Sequence, residues 1–187
     1  YLFTGWFDAS FVLSEIHLFL NLDDPLTKLT IGPWDHGIYN NISPFAGRGR
    51  VRFDSDAESV RFFDRRLLGL SNGLDEEARV HYFTMGEERW KTADTWPPPG
   101  TTDQVLYLGP DHVLLRAAPE AGAETYRVVD DAGSGDRSRW VSLINVEHHP
   151  IEYVDRAAED AKLLVYDLPP LAADLEVTGH PRVVLHV

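Results

Sequence analysis

The strongest constraint on the fold lies at the start of the chain. "YLFTG", residues 1–5, is a short aromatic and apolar run closed by a glycine, as a buried strand leading into a turn would be. "FVLSEIHLFLNL" follows, apolar on most of its sides, and reads as a covered helix whose first turn either Asp8 or Ser10 could cap. After the breaker "DDP", the stretch "KLTIGPW" reads as a second buried strand. Strands joined through a helix cannot form a hairpin. A crossover of this kind sets them parallel in one sheet, and parallel sheets belong to α/β architectures.

Further along, "YNNISPFAGRGR" is polar and rich in turn residues, as in a surface loop, and "DSDAESVRFFDRRLLGL" reads as a second helix. Ser55 and Glu58 stand at capping-box spacing, Val60, Phe63 and Leu67 fall on one face, and Gly69 supplies a C-terminal stop. Beyond residue 76 helical periodicity vanishes. "ARVHYFTMG", "QVLYLG", "HVLLRA", "TYRVVD", "KLLVYDL", "LEVTG" and "RVVLHV" are short, β-prone and separated by turn residues, the spacing of a sandwich or jelly roll. The expected division is an α/β part over 1–75 and an all-β part over 76–187, with "WPPPGTTD" as a rigid connector. A length of 187 residues suits one large or two small domains. The opening at Tyr1 in an apolar run, and a final strand whose edge would stay unpaired, lead us to expect a piece of a longer protein.

Composition narrows the partners. The chain is 43% hydrophobic and 25% charged, a globular balance, and no apolar run approaches the roughly 20 residues of a bilayer span. A net charge of −13 argues against nucleic acid and anionic membrane, both of which need a basic footprint. The absence of cysteine excludes disulfides and thiolate metal sites. With no signal-peptide layout in view, the expected location is cytoplasmic. No motif implies a cofactor, and the oligomeric state is not legible.

Chemistry concentrates in "GWFD" and "GPWDHG". In an open α/β sheet ligands bind beyond the carboxyl ends of the strands. Asp8 and His36 each follow an expected buried strand by a few residues, so both should emerge at that rim. A carboxylate that accepts the ring N–H of a histidine fixes its tautomer and stabilises the imidazolium formed when the ring takes a proton. Spacing alone leaves another reading open, with Asp8 a helix cap and His36 a loop residue. "GLSNG", residues 69–73, fits G-x-S-x-G, but the pattern carries force only where a strand turns into a helix. Here it follows a helix and lies after the histidine, so Ser71 reads as a turn residue. His148 and His149, with Glu147 or Glu152 nearby, would point to opposite faces of a strand and form a poor chelate. Asp35 and His36 share that weakness, and no metal is expected. The five tryptophans, Trp6, Trp34, Trp90, Trp96 and Trp140, could line an apolar cleft or pack in the core.

Further stretches join these two: "FFDRRLLG", "MGEERWKTADTWPPP", "SRWVSL" and "LVYDLPPLAADLEVTGHP". In this order the motifs resemble the serine hydrolase family of X-prolyl dipeptidyl-peptidases, bacterial cocaine esterase and α-amino acid ester hydrolases. The resemblance runs from about Gly5 to Pro181. It implies the C-terminal portion of an α/β-hydrolase catalytic domain followed by a β jelly-roll, galactose-binding-like domain. It also implies a Ser–Asp–His triad that cleaves small-molecule ester or amide bonds through an acyl-enzyme, with Asp8 as the acid and His36 as the base. The nucleophilic serine would lie upstream of this sequence, as would the oxyanion-hole donors and the helical cap, so the chain alone is expected to be inactive. Asp35 stands where the family varies and receives no role. A reading from another class is a non-catalytic jelly-roll module that recognises carbohydrate or a partner protein.

Overall fold

The computed structural model describes residues 1–9, 11–38, 40–46, 49–50, 53–133 and 153–186. Its first elements are β1 (Leu2–Gly5), α1 (Phe11–Asn21) and β2 (Leu29–Gly32), and the two strands pair in parallel with Leu2 opposite Leu29 and Gly5 opposite Gly32. A short ribbon of β3 (Asn40–Asn41) and β4 (Gly49–Arg50) follows, then α2 (Ser55–Leu68). The hairpin β5 (Val80–Thr84) and β6 (Arg89–Ala93) completes a four-stranded sheet of order β1-β2-β5-β6. β5 lies parallel to β2 and β6 antiparallel to β5. A boundary at residue 76 would cut through this sheet, because its outer half comes from beyond that point.

Alternation along the strands divides the two faces. Leu29, Ile31, Val80, Tyr82 and Ala93 share one face, against which α1 lays Ile16 and Phe19 and which Trp96 closes. Each aliphatic side chain withdrawn from water in this way contributes about 1.5–3 kcal/mol. All four residues of β2 are buried, as a central parallel strand requires. The expected covering of α1 on most sides holds for one face only: Phe11, Leu13, Leu18 and Leu20 are exposed.

α2 forms where the sequence places it, but two of its details differ. Its N-cap is Asp54, whose Oδ1 accepts from the Ala57 N–H at 2.9 Å, rather than Ser55. Glu58 is correspondingly free of the capping box and takes the Arg61 guanidinium at 2.6 Å. Gly69 ends the helix in the left-handed conformation, with φ 70°, as expected. The face carrying Val60, Phe63 and Leu67 is turned outward and exposed. The opposite face does the docking. Arg61 reaches Glu77 at 2.8 Å, Arg65 and Arg66 hold Asp75 at 2.6 and 2.8 Å, and Phe62 meets Tyr1 edge-on. These ion pairs join the helix to the link at 75–77.

Beyond β6 the expected sandwich is not assembled among the described residues. β7 (Tyr107–Leu108) and β8 (Leu114–Leu115) make a short antiparallel ladder, Val113 bridges to Asp167, and Ala157–Asp160 form one helical turn. "TYRVVD", "LEVTG" and residues 182–186 of "RVVLHV" lie outside any strand, and Val128, Val177 and Val183 are exposed. A β-prone run becomes a strand only where a ladder partner meets it. "SRWVSL", Trp140 and the His148-His149 pair with Glu147 and Glu152 lie outside the described residues, as does Ser10. No helix among the described residues is long and apolar enough to cross a membrane.

Candidate active site

The site is built on the ends of β1 and β2. Past the paired glycines the two chains continue side by side: the Trp6 N–H donates to the Gly32 carbonyl at 2.9 Å and the Phe7 N–H to that of Trp34 at 3.2 Å. Trp34 folds back, fully buried, over both strand ends. That approach demands glycine. A Cβ on Gly5 would lie 1.9 Å from the Trp34 carbonyl oxygen, and one on Gly32 about 2.0 Å from the indole ring. "GW" and "GPW" are therefore two halves of one packing arrangement.

Beyond this staple the chains turn apart and present Asp8 and His36. The Asp8 N–H closes a tight turn on the Gly5 carbonyl, Ala9 takes a positive φ of 41°, and the Phe11 N–H that opens α1 donates to the Asp8 carbonyl. The Asp8 carboxylate meets the histidine instead: Oδ1 lies 3.0 Å from His36 Nδ1. The two side chains that spacing placed at the same rim are thus in hydrogen-bonding contact. Asp8 is 7% exposed, whereas the His36 side chain is 52% exposed. Burial pushes the Asp8 carboxyl above its ordinary range, the His36 contact opposes that shift, and the nearby charge of Asp35 adds to it.

With Asp8 ionised its carboxylate can only accept, so a neutral ring in this contact carries its proton on Nδ1 and keeps the lone pair on Nε2. The half-exposed ring can therefore take a proton from a neighbouring hydroxyl while Asp8 steadies the cation. Phe11 lies along the imidazole with ring centroids 5.2 Å apart, nearly parallel at 25°. Asp35, given no role from the sequence, shapes the turn: its Oδ1 accepts the Gly37 N–H and its carbonyl the Ile38 N–H. The Asp-x-Gly spacing was the available signal for that Asx turn.

Ser71 sits in the link after the α2 cap with no strand leading into it, as its position implied. Trp6 and Trp96 pack together, and the Trp6 Nε1–H donates to the Phe83 carbonyl at 2.6 Å. Trp90 stacks obliquely on Trp34 and stays partly exposed. Among the described residues no group of three side chains is placed to hold a metal ion.

Comparison with known proteins gives these motifs a context. A family model described as the X-Pro dipeptidyl-peptidase C-terminal non-catalytic domain matches residues 72–187. Proteins of Mycobacterium bovis and Mycobacterium tuberculosis, each named provisionally as a serine esterase, are 46% identical over a 189-residue alignment covering 100% of this chain and 30% of theirs. The cocaine esterase of a Rhodococcus species is 31% identical over 110 residues, or 56% of this chain and 19% of its own. Among solved structures, an aminopeptidase from a marine sediment archaeon, Thaumarchaeota archaeon, matches at a TM-score of 0.48 and 25% identity, over 64% of this chain and 21% of that one. The chain spans about 30% of the length of the mycobacterial relatives.

Proposed function

Because this chain belongs to the X-prolyl dipeptidyl-peptidase and cocaine esterase family, whose C-terminal part it represents, we propose that Asp8 and His36 are the acid and base of a serine hydrolase triad. The nucleophilic serine comes from an upstream part of the parent protein. His36 Nε2 takes the serine proton as the hydroxyl attacks an ester or amide carbonyl. The imidazolium then returns that proton to the leaving group, and a water repeats the sequence to release the acyl group. Asp8 stays ionised throughout and holds the Nδ1–H tautomer. The substrate is a small-molecule ester, amide or peptide.

The observation that carries this reading is the 3.0 Å contact between a buried carboxylate and a half-exposed imidazole at the ends of adjacent parallel strands. Placement supports it as well, since the rim beyond the carboxyl ends is where open α/β sheets bind ligands. The domain reading goes with it. In that reading residues 1–75 are the end of an α/β-hydrolase domain and 76–187 belong to a jelly-roll domain of the parent, with β5 and β6 lent to the hydrolase sheet.

The test uses the full-length parent and an activated ester. His36→Ala should lower turnover by several orders of magnitude, as loss of a triad base does. Turnover near wild type would remove the triad assignment. The present chain alone, lacking the serine, should show no burst of acyl-enzyme with the same ester.

A further inference from the structure

We infer that Glu88 is a positioning residue for His36, acting through the segment that follows the histidine, so that the region matched as non-catalytic braces the catalytic couple. The inference rests on His36 being the base. His36 is half exposed, and among the described residues its ring meets the Asp8 carboxylate and the Phe11 ring. The rest of its placement must come from the backbone of its loop, and that loop is fastened at two consecutive residues.

Ile42 donates its N–H to the Pro33 carbonyl at 2.8 Å, which closes the loop on its own start, and its carbonyl accepts the Tyr153 hydroxyl. Ser43, 4% exposed, donates its hydroxyl to Glu88 Oε1 at 2.6 Å. That same oxygen accepts the Gly86 N–H at 3.0 Å, so the carboxylate is held within its own hairpin turn while it holds the serine. Glu88 takes a positive φ of 55°, a conformation that non-glycine residues rarely adopt. The Tyr153 ring also packs against Phe7, the neighbour of Asp8, at 6.0 Å. Glu88 and Tyr153 both fall within residues 72–187. The brace thus touches the acid loop at Phe7 and the base loop at Ile42 and Ser43.

In the full-length parent, Glu88→Ala should lower kcat for an activated ester by about 10²-fold, the effect of displacing a reacting group by roughly 1 Å, with KM little changed. Ser43→Ala should reproduce the loss. Glu88→Gln keeps an oxygen that accepts from Ser43 and should retain most of kcat. Its circular dichroism melt, compared with wild type, establishes that the fold is kept should Glu88→Ala not fold. Wild-type kcat in both Glu88→Ala and Ser43→Ala, with His36→Ala inactive, would overturn the brace and leave the base assignment standing. Equal losses in Glu88→Gln and Glu88→Ala would overturn the hydrogen-bonding role. Wild-type turnover in His36→Ala would remove the base assignment and the brace with it.

Discussion

Asp8 carries opposing demands. Burial disfavours its charged form, yet the proposed chemistry needs that form, and the raised carboxyl range reflects the conflict. The linkage has a definite sign. A carboxyl whose folded pKa is raised contributes stability that is fully present below its unfolded range, about 3.9, and is lost as pH rises through the folded value. Asp8→Asn removes the charge and keeps the shape. Its melting temperature at pH 7 should match or exceed that of wild type, with the difference narrowing as the pH is lowered through the carboxylate range. Turnover in the parent should meanwhile fall by about four orders of magnitude, as when a triad acid is replaced by its amide. A melting temperature well below wild type at pH 7 would contradict this account. The placement of Asp8 and His36 beyond adjacent strand ends was legible in the sequence because strand ends place residues by local pattern. Ser43 and Glu88 were not, because each lies in irregular backbone and they are 45 positions apart.

Elements were easier to recognise than to orient. The periodicity of "SVRFFDRRLL" announced a helix, and Gly69 marked its end. The start was misplaced by one residue, since Asp54, Ser55 and Asp56 can all cap and only the backbone turn at Asp54 selects among them. Removing that cap with Asp54→Ala should cost about 1 kcal/mol, read as a shift in the denaturation midpoint, whereas Ser55→Ala should cost clearly less. Val60, Phe63 and Leu67 share one face as their spacing implied, and that face is exposed. An apolar stripe is ordinarily the buried one, but in α2 the side turned to the rest of the described residues carries three arginines paired with Glu77 and Asp75 across the link. Which side is covered depends on residues outside the helix, beyond the reach of any periodicity within it.

At the scale of the whole molecule two kinds of attachment coexist. The sheet is held by backbone ladders, and the segment around Glu176 is held to it by side chains. Lys91 donates to Glu176 Oε2 at 2.5 Å, and Thr84 and Thr178 donate to Oε1. The Lys91 hydrogen bond chiefly depresses the Glu176 carboxyl. The tether therefore holds above the ordinary glutamate range and is lost as pH falls through the depressed folded value. Glu176→Gln should speed amide exchange and proteolysis at residues 175–186 while leaving exchange in β2 and β5 unchanged; uniform acceleration would show instead that the segment and the sheet unfold as one. The α/β beginning was readable because β1, α1 and β2 are contiguous. The sheet's extension past residue 76 was not, because β5 pairs in parallel with a strand about 50 positions earlier. The staple over the strand ends has a historical consequence. Bulk added at Gly32 must be taken from the indole, whereas bulk added at Gly5 meets the Trp34 backbone carbonyl, which no change of that side chain relieves. A larger residue at position 32 could therefore arise only after Trp34 had shrunk, whereas position 5 stays small whichever side chain stands at 34.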